Sequence, residues 1–393
     1  MITMYTLEDT QGQSASIKVI GVGGGGGNAL NNMVSHKLRG VDFIAANTDA
    51  QSIEHSKADI KLQLGTNITR GLGAGADPQI GREAAESERE YIHDMLINTD
   101  MVFITAGMGG GTGTGAAPVI AEIAHDMGIL TVAVVTKPFN FEGKRRMKQA
   151  EAGIAELRNH VDTLITIPNQ KLISAVGKNT TMLEAFRKAD DVLLQAVRGI
   201  AELITQTGYI NVDFADVKTV MSETSGMAMM GSGVASGESR ACEAAERAIS
   251  SPLLEDIDIH GAQGILVNVT GNEDMTLAEY DEAVSIIHNM ADEDANIICG
   301  MVYDKDAGED LRVTVVATGL SAEAQVSIAP VQSAKKPSGL PRMGNFAASQ
   351  STTVTTPQAG SGRQVMQAPL FANETFYDES ELDIPAFIRH QAD

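Results

Sequence analysis

The sequence predicts an α/β fold: a Rossmann-like parallel sheet, then a long central helix, then a second, smaller α+β domain. Three observations lead there. Short β-branched apolar runs alternate with helical patterns from Ile17 onward. A stretch of nearly thirty residues then repeats apolar positions at three- and four-residue steps, and beyond Asp216 the apolar residues alternate like those of half-buried strands.

Taken in order, residues 1–16 read as a flexible N-terminus. The runs "IKVIGV", "VDFIAAN", "MVFITA", "ILTVAVV" and "TLITIP" read as parallel strands buried on both faces, joined by helical crossovers within a first domain over 17–181. "TTMLEAFRKADDVLLQAVRGIAELITQTG" reads as one helix, with Phe186, Leu193, Val197, Ile200 and Ile204 along one face and Gly208 as its stop. With the loop after it, this helix fills 182–216 and runs between the two domains. "GAQGILVNVTG", "ANIICGMVY" and "LRVTVVATG" supply the strands of the second domain over 217–320, with "TLAEYDEAVSIIHNMA" as a helix among them. Residues 321–377 are rich in Ser, Thr, Gly, Pro and Gln without apolar periodicity and read as a disordered linker. Residues 378–393 bring back Leu382, Ile384, Phe387 and Ile388 at the end of that tether. They read as a docking peptide, the alternative being a segment packed back on the body.

The 393 residues are enough for two full cores, and 43% hydrophobic with 20% charged residues is ordinary for a globular protein. Trp is absent, so the core is aliphatic, with 18 Met among its fillers. A net charge of -22 argues against nonspecific nucleic-acid binding and against attraction to anionic lipid. Cys242 and Cys299 suit neither a disulfide framework nor a metal motif. The opening residues lack a signal-peptide pattern and the longest apolar run, Gly128 to Val135, is too short to span a membrane. A cytoplasmic protein without membrane insertion is expected.

Three glycine-rich segments mark the chemistry. "GVGGGGGNA" fits G-x-G-x-x-G from Gly21 to Gly26, with Asp49 at the interval of a ribose-binding acid, but no G-K-[ST] closes it. "GLGAGADP" runs from Gly71 to Pro78 ahead of a helix containing Ile80, Ala84 and Tyr91. "GMGGGTGTGAAP", Gly107 to Pro118, has six glycines and two threonines, and Thr112 and Thr114 add hydroxyl donors. Each alone is either a tight turn or a cradle; together, after strands on one sheet edge, they favour a compact polyanion held by backbone amides. NAD would need one such cradle and would leave "GGGTGTG" without a role. A nucleoside triphosphate uses all three, neutralised by amides, a cation and Arg146 in place of a loop lysine. Glu142 either accepts from ribose hydroxyls or pairs with Lys or Arg on its own helix. Asn169 sits just beyond "TLITIP". Phe186 and Asp190 share a helix face, and a ring with a carboxylate favours guanine over adenine, although Phe186 fits equally well as core.

"GVGGGGGNA", "NTDAQ", "GLGAGA", "GMGGGTGTGAAPV", "TKPFNFEGKRR" and "NVDFADV" resemble the bacterial FtsZ family, prokaryotic relatives of tubulin. The resemblance covers residues 17–320 and resumes in "LDIPAFIRHQAD". It implies a GTPase of the cytoplasmic midcell division ring that polymerises head to tail, binds GTP or GDP with Mg2+, and docks membrane-tethering and regulatory division proteins through its tail. By motif, Gly24, Gly25, Gly26, Gly27 and Asn28 would line the phosphate side, with Gly73, Ala74 and Gly75. Gly111, Thr112 and Gly113 would join them from the third segment. Glu142 and Arg146 would contact ribose and phosphate, Asn169 and Asp190 the guanine, and Phe186 would stack on it. "NVDFAD" matches the loop inserted over the γ-phosphate of a neighbouring subunit, which makes Asp213 and Asp216 catalytic, with Asn211 in the same loop.

"SETSGMAMMG" departs from the family's usual pattern by one extra residue, which implies a lengthened turn with nucleotide binding retained. Two other readings stay open at this level. An NAD-dependent oxidoreductase accounts for the first segment and Asp49 but offers no well-placed general base. A GTP-binding scaffold without hydrolysis would leave Asp213 and Asp216 as solvated acids.

Overall fold

The computed structural model describes residues 15–176, 180–206, 210, 212–222, 226–254, 261–292 and 294–320. The linker, the tail, Asn211, Gly208 and the extra residue of "SETSG" therefore lie outside the described residues.

The chain alternates as β1 (Ile17–Val22), α1 (Gly23–Ser35), β2 (Asp42–Asn47), α2 (Ala50–Glu54), β3 (Ile60–Gln63), α3 (Thr66–Thr69), α4 (Pro78–Glu86) and α5 (Arg89–Leu96). It continues through β4 (Met101–Gly107), α6 (Thr112–Asp126), β5 (Leu130–Lys137), α7 (Lys144–Leu157), β6 (Thr163–Pro168) and α8 (Asn169–Val176). Next come α9 (Met182–Thr205), α10 (Phe214–Ser222), β7 (Gly226–Ser236) and α11 (Arg240–Ile249). The last described elements are β8 (Gly264–Gly271), α12 (Leu277–His288), β9 (Asn296–Tyr303) and β10 (Asp310–Leu320).

Among the described residues the ten strands form one sheet in the order β3-β2-β1-β4-β5-β6-β7-β10-β8-β9. It is parallel from β3 to β7, and β10 then runs antiparallel to both β7 and β8. The two halves that the sequence separates thus share a sheet, joined at β6–β7 by three residue pairs, Thr163 to Ile165 opposite Gly226 to Ala228. Apolar alternation covers both faces of the first half. Ile20, Ile104 and Val135 pack with α4, α5 and α6, while Val19, Phe103 and Val134 pack with α1 and α9. Because β1 is flanked by β2 on one side and β4 on the other, the strand order reverses at β1, where open α/β sheets form their ligand crevice.

Two expectations need correction. The central helix has 24 residues, a span of about 36 Å, and is shorter than expected at both ends. At its start, Thr181 accepts the Glu184 amide at 3.3 Å while the Glu184 carboxylate accepts the Thr181 amide at 2.8 Å. β8 is buried along its whole length, since Leu266 packs with α9 and α10 while Ile265, Val267 and Val269 pack with α11 and α12. Within that packing, buried Glu202 of α9 lies 3.2 Å from Arg198 Nε and 3.9 Å from Arg312 Nη1, tying the helix to β10. Burial pushes the Glu202 carboxyl up, against the pull of the two guanidinium groups.

Helices α4 and α6 meet backbone to backbone. A Cβ on Gly115 would lie 1.9 Å from Pro78 O, and one on Gly81 would lie 2.4 Å from Gly111 O. Gly115→Ala should therefore destabilise the protein by about 1–3 kcal/mol, although Ala exceeds Gly in helix propensity by about 1 kcal/mol. Urea unfolding checks this, and a variant as stable as the parent would contradict the close packing.

Candidate functional site

The first glycine segment is helix rather than loop. β1 passes directly into α1 at Gly23, and the preceding Val22 is extended and offers no side-chain cap. The amides at the start of the first turn, Gly23 to Gly25, are left without intrahelical partners. α6 repeats the arrangement, with Gly111 at its N-cap and no side-chain cap. Gly23 has φ +71°, and a Cβ on it would stand 2.8 Å from the Gly113 nitrogen. A Cβ on Gly25 would meet Gly107 Cα at 3.1 Å. Two uncapped helix N-termini therefore converge, which suits an anion.

The hydroxyls of the third segment are engaged within the protein. Thr114 Oγ1 accepts the Gly109 amide at 2.8 Å, so it pins the turn, while Thr112 Oγ1 lies 2.6 Å from Thr48 Oγ1. The second segment braces them from outside. Its Gly73 amide donates to Thr48 O at 3.3 Å, and a Cβ on Gly111 would meet the Ala74 methyl at 2.8 Å. Asp77 caps α4 by accepting the Gln79 amide at 2.9 Å. The helix expected after this segment is split into α4 and α5, with Tyr91 in the second.

A cavity of about 400 Å³ opens over the α1 and α6 N-termini. Gly24, Gly25 and Asn28 line it from α1, and Gly111, Thr112 and Gly113 line it from the start of α6. Glu142 and Arg146 come from the segment after β5, and Asn169, Phe186 and Asp190 close the far end. Eleven of the residues singled out from the sequence thus share one cavity. Gly73, Ala74 and Gly75 do not line it, and Ala74 is buried. Gly26 is a packing glycine, its Cβ position 2.3 Å from Thr105 O, and Gly27 faces a neighbouring cavity.

The far end is rich in acceptors. Asn169, 5% exposed at the start of α8, has a carbonyl oxygen with no partner. The Asp190 carboxyl is pushed up to about 7, first by burial and then by the neighbouring charge of Asp191. Phe186 is 40% exposed, so it is not core. Its ring stands edge-on to Phe139 at 5.2 Å, and Phe139 stacks on Phe141 at 5.0 Å. Between the two ends, Glu142 accepts the Phe139 amide at 2.8 Å and pairs with Arg146 Nη1 at 2.7 Å. Among the described residues no lysine lines the cavity.

Asp213 and Asp216 do not line it either. Both are exposed at the start of α10, where Asp213 O accepts the Asp216 amide at 3.0 Å. Residues not singled out as site residues also line the cavity, among them Thr136, Pro138, Ala189 and Leu193. Ala189 and Leu193 follow Phe186 by three and seven positions, a helical spacing that marks them as its neighbours. Thr48 behind Thr112 has no such signal, because only the tertiary fold brings them together.

Residues 16–177 match the family model described as Tubulin/FtsZ family, GTPase domain, and residues 226–321 match FtsZ family, C-terminal domain. The cell division protein FtsZ of Coxiella burnetii is 54% identical over 390 residues, 98% of this chain and 99% of that protein. That of Pseudomonas aeruginosa is 52% identical over 402 residues, covering 99% and 100%. The solved structure of an empty FtsZ dimer from M. jannaschii aligns with TM-score 0.76 at 49% identity, covering 79% of this chain and 89% of that one. A protofilament of CetZ2 from Haloferax volcanii bound to GTPγS shares the fold, with TM-score 0.64 at 19% identity over 78% and 94% of the two chains. Matched in both its domain models and along nearly its whole length, the chain belongs to the FtsZ family of tubulin-like GTPases.

Proposed function

We propose that the cavity holds GTP with its phosphates on the α1 and α6 N-termini and its guanine between Asn169, Asp190 and Phe186. The chain is a GTPase that polymerises head to tail into filaments of the bacterial division ring and hydrolyses GTP between successive subunits. The polarity of the cavity carries the orientation. Unpaired amide donors stand at one end, and an unpartnered carbonyl oxygen and a half-buried carboxyl stand at the other. Guanine offers N1–H and an amino group on one edge, which suits those acceptors, whereas adenine would turn a ring-nitrogen lone pair toward Asp190. Arg146 contacts phosphate and Glu142 the ribose, each held by the other.

Mg2+ fits as a companion of the phosphates. Among the described residues no group of three or more His, Cys, Asp or Glu side chains is arranged to hold a metal. Mg2+ commonly binds through substrate phosphates and water, and Thr112, which lines the cavity, would be the residue to offer it a protein oxygen. When bound, the ion neutralises phosphate charge. We assign residues 17–181 to nucleotide binding, 182–216 to the central helix and catalytic loop, and 217–320 to the second domain. Among the described residues no helix is long and apolar enough to cross a membrane. By its resemblance to the family's tail peptide, the 378–393 segment is assigned to docking membrane-tethering and regulatory division proteins at midcell on the cytoplasmic side.

Asp213 and Asp216 complete the site of a second copy, with Asn211 in the same loop. They orient the attacking water and take its proton as the water oxygen bonds to the γ-phosphorus and GDP departs with the bridging oxygen. The 36 Å span of α9 lies between these acids and the subunit's own glycine segments, so a head-to-tail neighbour supplies them. Such a contact is heterologous and propagates a filament.

Guanine donors favour the Asp190 carboxylate, while the empty site holds that group protonated below about pH 7. Binding then releases a proton. GDP affinity should rise with pH by up to about tenfold per unit below 7 and level off above it. Asp190→Asn should bind more weakly and show no such slope in titrations from about pH 5.5 to 8. A flat parental profile would contradict the contact. Asp213→Ala or Asp216→Ala should bind GTP and assemble like the parent but turn over about 10²–10⁴-fold more slowly. Parental turnover per subunit should collapse on dilution below the assembly threshold, in the full chain and in a chain ending at residue 377 alike. Fast hydrolysis by dilute subunits would exclude the shared site.

A further inference from the structure

On the other flank of α1, between that helix, the end of β2 and α2, lies a second cavity of about 410 Å³. That is within the roughly 300–1,000 Å³ of small-molecule sites. Gly24 and Asn28 line both cavities, and a Cβ on Gly24 would meet nothing within 4 Å. The rim between the cavities at Gly24 is therefore bare backbone.

Gly27 makes this cavity more than a crevice. It sits in the second turn of α1 without a positive φ, and a Cβ there would meet nothing within 4 Å. A helical glycine costs about 1 kcal/mol relative to Ala, and here neither conformation nor packing asks for one. Gly27 lines the second cavity and not the first, so close approach of a ligand to the backbone accounts for it. Asn47 points the same way. It is the last residue of β2, 6% exposed and on the cavity wall, with its Oδ1 accepting the Thr48 amide at 2.8 Å. The carboxyl end of the second strand is where doubly wound folds contact ribose hydroxyls. Asp49, the acid that the sequence motif offers for that task, is committed to capping α2, accepting Gln51 N at 3.0 Å and Ser52 Oγ at 2.8 Å. No Lys, Arg, Asp or Glu lines the cavity, and His55 and Gln51 stand on its α2 wall. A neutral polar cavity suits a nucleoside better than a further anion.

We propose that the protein binds dinucleoside polyphosphates, with guanosine in the first cavity, the phosphate chain across the bare rim, and the second nucleoside against Gly27 and Asn47. This rests on the GTP assignment above. Such a ligand is esterified at both ends and presents no terminal phosphoryl group to the acids of a neighbouring subunit. It would hold the site without being turned over.

The test compares diguanosine tetraphosphate with guanosine 5′-tetraphosphate, which carries the same phosphate chain and one nucleoside fewer. Equilibrium binding to the full-length protein should favour the dinucleotide by about tenfold or more, the gain of one further seated group. Gln51→Trp and His55→Trp, each filling the second cavity from its α2 wall, should erase that advantage and leave guanosine tetraphosphate affinity unchanged, with melting curves confirming that both variants fold. Asp190→Asn should weaken both ligands equally. Equal affinity of the two ligands for the parent would overturn the proposal, as would an advantage that survives both tryptophan variants. If guanosine tetraphosphate itself did not bind, the GTP assignment would fall and the proposal with it.

Discussion

A Cβ at Gly23 would stand 2.8 Å from the Gly113 nitrogen, and one at Gly115 would stand 1.9 Å from Pro78 O. Because those atoms are missing, the N-termini of α1 and α6 lie side by side and α4 braces them from behind. The remaining features of the site depend on this contact. It aims two sets of unpartnered amides at one point, and it leaves no side chain there to fill the space. Glycine loses more conformational freedom on folding than other residues, so such a cluster persists where the backbone itself is the binding surface.

This explains how a chain of net charge -22 holds a polyanion. Amide dipoles at uncapped helix N-termini supply attraction locally, beside Arg146 and without a lysine lining the cavity among the described residues. Charge selects at the other end as well. Asp190 is half-buried beside Asp191 and its carboxyl resists ionisation, so in the proposed complex seating the base and releasing a proton are one event. Asp213 and Asp216, the acids proposed to finish the chemistry, lie beyond α9 and do not line the subunit's own cavity, and in that proposal turnover is coupled to assembly.

Much of this was legible in the sequence because strand and helix periods are local. The five buried strands, the central helix and the Phe186–Asp190 face follow from apolar spacing alone. The residues after each strand collect at one edge because parallel connections return every carboxyl end to the same side. What the sequence did not reveal is cross-chain. Gly26 and Gly27 are indistinguishable in "GVGGGGGNA", yet one packs against Thr105 O and the other faces a second cavity. Thr114 reads as a phosphate donor until the fold brings the Gly109 amide onto its hydroxyl. β8 reads as half-buried because its polar residues, Asn268 and Thr270, are paired inside, Asn268 with Gly199 O at 3.0 Å and Thr270 with Glu202 at 3.4 Å.

Amide hydrogen exchange with and without GDP tests the backbone cradle most directly. In the empty protein the first-turn amides of α1 and α6 have no intrahelical partner and should exchange fast. With nucleotide bound, the amides of Gly24, Gly25, Thr112 and Gly113 should slow by at least about tenfold, while the exposed start of α10 at Asp213 and Asp216 is unchanged in unassembled subunits. Slowing confined to other segments, with these amides still exchanging freely, would contradict the account.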